Sequence, residues 1–283
     1  MTEGTKFDRS VDGFARHIQA CNNANLPGTF LPFLIGTAQV GWVRPEVAAA
    51  LVDIGQAERR GDHVVLPDGN ALPSLAGQLA ARGIGGVRRE EFDVRSEPDG
   101  PVLARVDRGA LPRLGIQAVG VHVNGLVEQA SGLHLWIARR ALDKLLDPGK
   151  LDHIVAGGVP AGLDPATTLI KEAGEEAAIP PTLAQQAVPV GQVTYAMVRS
   201  EGLRRDRLVC YDLTLPADFQ PVPADGEVEA FELWPIERAL ETVRDTDDFK
   251  FNVNLVLIDL FIRRGLISGA EADALRAGLE RGR

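Results

Sequence analysis

The sequence predicts an α+β protein of two domains, and three observations carry that expectation. Short runs rich in β-branched and aromatic residues, such as Phe30 to Ile35 and Ile116 to Val123, alternate with helical patterns along the chain. A length of 283 residues is enough for a full core and for two domains. From about Asp99 to Arg113 the composition turns to Asp, Gly, Pro and Arg, which divides residues 1–112 from residues 113–283.

Residues near 10 to 21 read as a short amphipathic helix in which His17 and Cys21, one turn apart, face a core, half a metal site being the alternative. Phe30 to Ile35 reads as a strand and Gln39 to Val43 as its partner, and Pro45 starts a helix through about Glu58. A small hairpin turning at Pro67-Asp68-Gly69 and a helix ending at Gly83 complete the first domain. The second opens with Ile116 to Val123, a hairpin turn at Asn124-Gly125 and a return strand, Leu133 to Ala138. Gln192 to Val198 and Leu208 to Leu215 read as strands joined by the polar EGLRRDR segment. An apolar helix follows near Val253, and Ser268 to Glu271 reads as a capping box for a last helix with Leu275 and Leu279 facing inward.

Composition narrows the function. With 39 acidic against 30 basic residues the chain has no broad basic surface, so nucleic acid is not an expected partner, while a nucleotide or other small phosphate stays open. Cys21 and Cys210 are too few for a disulfide framework or a zinc cluster, which fits a reducing cytoplasm. The opening MTEGTKFDRSVDG has no apolar signal core, and the best apolar run, Val253 to Ile262, is interrupted by Asn254 and Asp259, so no membrane span is expected. None of the histidines has zinc spacing, and His153 is the one nearest the stretch where chemistry concentrates.

That stretch runs from Leu151 to Pro180. An apolar strand, Ile154-Val155-Ala156, leads into a loop holding Gly157, Gly158 and Gly162, then into a helix opened by Asp164-Pro165 and ended by Pro180-Pro181. Ala166, Leu169, Ile170, Ala173 and Ala177 form its apolar stripe. Glu172, Glu175 and Glu176 fall on an arc of roughly 100° beside the stripe, so their carboxylates are expected to converge. Such like charges each cost a few tenths of a kcal/mol and Gly174 about 1 kcal/mol more, a local cost that a divalent cation would relieve. Mg²⁺, a hard cation, favours carboxylate oxygens together with phosphate. A solvated acidic face is the plain alternative, and the adjoining glycine loop weighs against it.

Read from Gly157, this stretch resembles the signature of the Nudix hydrolases, G-x5-E-x7-R-E-U-x-E-E-x-G-U with U aliphatic. Glu172, Ala173, Glu175, Glu176 and Ile179 match, while Leu163 stands for the first Glu, Lys171 for Arg and Ala178 for the second Gly. A longer resemblance covers about Ile18 to Gly265. Pro32-Phe33, Val40-Gly41-Trp42 and Pro45, then Tyr211-Asp212-Leu213, Asp225-Gly226-Glu227-Val228 and Phe249 to Asn254 are similar to thiamine-diphosphate-related Nudix proteins with an extra amino-terminal domain.

The resemblance implies a Nudix α/β/α sandwich with a mixed sheet, preceded by a smaller α+β domain. It implies hydrolysis of thiamine diphosphate, or its oxo and oxy analogues, to the monophosphate. Nucleoside-linked diphosphates are the alternative, and the replacements at Leu163, Lys171 and Ala178 keep a ligand-binding protein without turnover in view. Glu172, Glu175 and Glu176 would hold one or more Mg²⁺ ions, or Mn²⁺, helped by a backbone carbonyl near Ala156 and Gly157. Glu172 or Glu227 would orient or deprotonate the attacking water. Gly157, Gly158, Arg139, Arg140, Lys250 and Asn252 are expected to meet the substrate, and Trp42 either packs in a core or stacks on a substrate ring. The Glu and Arg of the family signature mainly brace the loop and helix, so Leu163 and Lys171 remove that pair together. The expected partner is a small-molecule diphosphate, and a homodimer is compatible with the sequence.

Overall fold

The computed structural model describes residues 8–280, so the opening read above for a signal core lies outside it up to residue 7. Helix α1 (Asp8–Cys21) is followed by strands β1 (Leu31–Ile35) and β2 (Ala38–Val43), helix α2 (Pro45–Asp53), strands β3 (Glu58–Arg60) and β4 (His63–Leu66) and helix α3 (Leu72–Ala81). Next come strands β5 (Glu91–Val94) and β6 (Ala104–Asp107), helix α4 (Leu111–Leu114), and strands β7 (Gln117–Gln129), β8 (Gly132–Arg140), β9 (Leu151–His153) and β10 (Val155–Gly158). Helices α5 (Pro165–Ala177) and α6 (Pro181–Ala184) precede strands β11 (Val188–Arg199), β12 (Gly202–Thr214) and β13 (Val228–Pro235). Helices α7 (Ile236–Asp245), α8 (Val253–Arg263) and α9 (Gly269–Leu279) close the chain. Among the described residues no helix is long and apolar enough to cross a membrane.

Two main sheets give the mixed α+β class that the sequence predicts. The smaller has four strands in the order β2-β1-β4-β3, with Phe33, Val43, Leu51, Leu66 and Leu75 in its core. The larger has seven, ordered β11-β12-β7-β8-β13 with β10 on β7 and β9 on β8. Strand β12 runs parallel to β7, and the other pairs of this sheet are antiparallel. Phe14, Val243, Leu257, Phe261 and Leu275 bring α1, α7, α8 and α9 onto one face, while Leu169, Ala173 and Ala184 bring α5 and α6 onto the other. The result is a three-layer α/β/α sandwich. Helix α1 packs with this larger unit, although the expected division at residue 112 groups it with the smaller one.

Several local expectations yield to pairing partners distant in sequence. Strand β7 runs straight through Asn124-Gly125, and its hairpin with β8 closes beyond Gln129. Asn124 is buried and donates to Asp212, while a Cβ on Gly125 would come within 2.8 Å of Ile154 Cγ2, so the glycine serves close packing and not a turn. Pro67-Asp68-Gly69 leads into α3, with the Asp68 carboxylate accepting from the Asn70 N–H at 2.9 Å, and the hairpin turns instead at Gly61-Asp62. The EGLRRDR segment is mostly strand, because Asp206 accepts from the buried Tyr195 hydroxyl and pairs with Arg204 at 3.2 Å. The stretch expected to link two domains instead holds β6 and α4, with Val106, Leu111 and Leu114 buried. Ser268 makes no side-chain cap bond, although Leu275 and Leu279 do face inward.

One irregularity of the large sheet positions the site. Strand β7 pairs with β10 over Gly120 to Val123 but with β8 only from Gly125 onward. Strands β8 and β10 therefore part company midway along β7, and β9 bridges the wedge by pairing with the far end of β8. Ahead of α5, the Asp164 carboxylate accepts from the Thr167 N–H at 2.9 Å, as its capping position predicts. At the other end Ala178 closes the helix at φ 51°, and the Ile179 N–H donates to Ala173 O at 3.0 Å. Left-handed backbone costs an L-residue about 1–2 kcal/mol that glycine avoids. Ala178→Gly is therefore expected to raise the unfolding free energy by about 1 kcal/mol in urea titrations.

Candidate active site

Helix α5 packs on the sheet through Leu169, Ala173 and Ala177, and that orientation sorts its three carboxylates. Glu176 turns inward, is 7% exposed, and accepts the Ala156 N–H at 2.9 Å. Glu172, one turn earlier on the same side, lies over Gly157, where a Cβ would come within 2.7 Å of its Cδ. The glycine is thus what lets Glu172 reach the strand. Glu175 turns away, exposed and paired with Lys171, which also reaches Glu172 at 3.2 Å. Expected convergence holds for two carboxylates and fails for the third, because positions i and i+4 share a side: Glu172 with Glu176, and Lys171 with Glu175.

Glu176 opens onto a cleft in the wedge between β8 and β10, shared with Ala156, Asp152, His153, Arg140 and Glu227. Burial pushes the Glu176 carboxyl well above the usual range; the Ala156 amide offsets part of this, and the charges of Asp152, Glu172 and Glu227 add to it. Burial also raises Glu172, against the pull of Lys171. Among the described residues Glu176 has no ion-pair partner. The carboxylates around it are met by Lys171, Lys144, Arg140 and Lys250, and Lys250 also lies within the field of Glu176. A buried carboxylate that itself makes no ion pair, with Glu172 beside it, is a hard oxygen donor set that fits the divalent ion implied by the resemblance.

Asp152 is the contrasting case. Its Oδ2 accepts from Arg140 Nη1 at 2.8 Å and Lys250 Nζ at 3.3 Å, and its Oδ1 accepts the His153 N–H at 2.9 Å. Burial alone would raise its carboxyl, but Lys250, Arg140 and the neighbouring imidazoles hold it well below the usual range. Arg140 therefore lines the cleft with its charge already met and spends its other donors on the carbonyls of Leu146 and Asp147, while Lys250 sits behind Asp152 and does not line the cleft.

The other expected site residues divide. The Glu227 carboxylate, half exposed, lines the cleft and pairs with Lys144. Arg139 leaves the other face of β8, donates to Gly149 O at 3.2 Å and lines a separate groove of about 440 Å³ with Lys150, Trp234 and Arg238. Gly157 and Gly158 belong to β10 and not to a loop, and Gly158 is covered by the Phe92 ring. Asn252 is buried, makes no side-chain cap bond and does not line the cleft. Trp42 is half-buried in β2, also away from it.

His122 and Asp152 escaped the sequence reading, which singled out only His153. The two imidazoles face each other with Nδ1 atoms 2.9 Å apart, one donating to the other. Only strand order, with His122 opposite Ala156, brings them together, and no sequence spacing announces it. Potential ligand atoms of His122, Asp152 and His153 lie within 4.8 Å of one another, yet a cation there would compete with Arg140 and Lys250 for the Asp152 carboxylate. Burial lowers both imidazoles, His153 to about 4. The folded His153 thus binds its proton more weakly than the unfolded chain does. Stability present above the unfolded value of 6.5 is lost as pH falls toward about 4, by up to ~3 kcal/mol. Urea titrations across that window are expected to show the loss, and His153→Gln to flatten it; an unaltered slope in the variant would assign the acid sensitivity elsewhere.

No protein-family model matches the chain. The chain is 38% identical over 270 residues to "Nudix hydrolase 24, chloroplastic" of Arabidopsis thaliana, covering 91% of this chain and 74% of that protein. It is 37% identical over 277 residues to "Nudix hydrolase 20, chloroplastic" of the same plant, with the same coverage of 91% and 74%. Among solved structures, DR0079 from Deinococcus radiodurans superposes with a TM-score of 0.44 at 20% identity, covering 66% of this chain and 98% of that one.

Proposed function

The chain belongs to the Nudix hydrolase family, and from that premise we propose that it hydrolyses a small organic diphosphate, with thiamine diphosphate or its oxo and oxy analogues as substrates. Water would add to phosphorus and the anhydride bond would break, leaving the organic monophosphate and inorganic phosphate. The observation that carries this reading is Glu176, a buried carboxylate with no cationic partner, opening on a cleft with Glu172 and Glu227 nearby. The thiamine class rests on the resemblance spanning about Ile18 to Gly265.

Glu176 and Glu172, with the backbone at Ala156, would hold Mg²⁺ or Mn²⁺, which supplies positive charge to neutralise the diphosphate and lower the pKa of water at the site. Glu227, on the cleft and half exposed, would take the proton from the attacking water, giving up its pairing with Lys144. Glu172 is the alternative base, its carboxyl raised by burial. Arg140 lines the cleft and, with Lys250 behind it, outweighs the single charge of Asp152, so this side of the cleft would favour a phosphate.

Ligand binding without turnover is the second reading, favoured by Lys171 occupying both Glu172 and Glu175. Purified protein with Mg²⁺ is expected to release phosphate from thiamine-type diphosphates ahead of nucleoside diphosphates. Tight calorimetric binding without phosphate release would establish the second reading, and neither binding nor release would overturn both.

A further inference from the structure

We propose that the β5–β6 hairpin of the smaller unit positions the segment joining β10 to α5, with Asp93 as a positioning residue, so that the first domain is part of the cation-holding apparatus. The proposal rests on the cleft being the diphosphatase site.

Three successive residues of β5 grip this segment. Glu91 O accepts the Ala161 N–H at 2.7 Å, and Asp93 Oδ2 accepts the Gly162 N–H at 3.2 Å. Between them the Phe92 ring sits so close over Gly158 that a Cβ there would meet its Cζ at 2.6 Å. The grip is itself well anchored. Phe92 is 3% exposed in the core with Val94 and Val106, and Asp93 is held by Arg95 and Arg105, each at 3.3 Å. No equivalent hold comes from the residues that stand for the signature's bracing Glu and Arg. Leu163 has no hydrogen-bonding side chain and is exposed, and Lys171 is spent on Glu172 and Glu175.

The gripped segment is continuous with both carboxylate contacts. Gly158 adjoins Gly157, over which Glu172 lies, and Gly157 adjoins Ala156, whose N–H binds Glu176. A shift of the segment by about 1 Å would displace both carboxylates together, and displacement on that scale is what degrades a site.

Hydrogen exchange on the full chain tests the grip directly. Asp93→Ala is expected to speed exchange of residues 157–164 by about 10-fold or more. It should also weaken binding of Mn²⁺ alone by about 10-fold. Asp93→Asn keeps an acceptor for the Gly162 amide and is expected to recover most of both. Val106→Ala loosens the core that anchors Phe92 but leaves the Ala161 and Gly162 amides their acceptors, so it should lower Tm and weaken Mn²⁺ binding less than Asp93→Ala does. Unchanged exchange in Asp93→Ala overturns the proposal, and so does faster exchange with unchanged Mn²⁺ affinity. Should the unmodified protein bind no Mn²⁺, it is the diphosphatase reading that falls, and the exchange data still decide whether the hairpin holds the segment.

Discussion

Glu176→Gln is expected to cut diphosphate hydrolysis by about 100- to 1,000-fold while leaving the protein folded and more stable without added metal. Glutamine keeps the volume and still offers an oxygen to the Ala156 N–H, so the helix–strand contact survives. What disappears is a negative charge that burial, Asp152, Glu172 and Glu227 all disfavour. Because the folded carboxyl titrates above its unfolded value, its contribution to stability is present below about pH 4.5 and is lost as pH rises through the folded pKa. Ionised, the group is therefore a cost to the fold, which a bound cation offsets. The unmodified protein is expected to gain Tm with Mg²⁺, and the variant to start higher and respond little. Glu175→Gln should lose less activity, since Lys171 already meets that exposed carboxylate. Hydrolysis by Glu176→Gln at the unmodified rate would remove Glu176 from the site.

What the sequence made legible, and what it hid, follows from the range of the interactions involved. The α5 start, its Asp164 cap and the inward turn of Leu169, Ala173 and Ala177 depend on neighbours within a few positions, and periodicity reports those. Asn124-Gly125 misled because its turn preference is local, whereas β12 and Ile154 hold it extended from far along the chain. Arg139 and Arg140 show the same limit at the site. Alternation along β8 puts them on opposite faces, but only the addition of β9, carrying Asp152, decides which of the two meets the cleft. The His122–His153 pair depends wholly on strand order, so spacing had nothing to report. Within α5 the three glutamates share one arc, but Lys171 pairs with its i+4 neighbour Glu175, a choice of side chain that helical angle does not express.

Asp152→Asn is expected to lower the unfolding free energy by about 3–5 kcal/mol, the largest stability loss at the cleft. The side chain is only 6% exposed and its Oδ2 receives two cations, Arg140 and Lys250, themselves nearly buried. Asparagine preserves the shape and an acceptor for the His153 amide, so the loss isolates the charge and not the packing. Both cations would then lose their paired carboxylate, and Lys250, already lowered by burial and left only the more distant charge of Glu176, would be driven toward shedding its proton. Lys250→Met in the Asp152→Asn background is expected to return part of the stability by removing one orphaned charge, a coupling that a double-mutant cycle in urea measures directly. The same experiment separates this network from a metal centre at His122, Asp152 and His153. An ion-pair network keeps its stability in chelator, whereas a metal held by that trio would be stripped and the unmodified protein would fall toward the variant. A loss under about 1 kcal/mol in Asp152→Asn would mean that water screens the two cations as it does at an exposed pair.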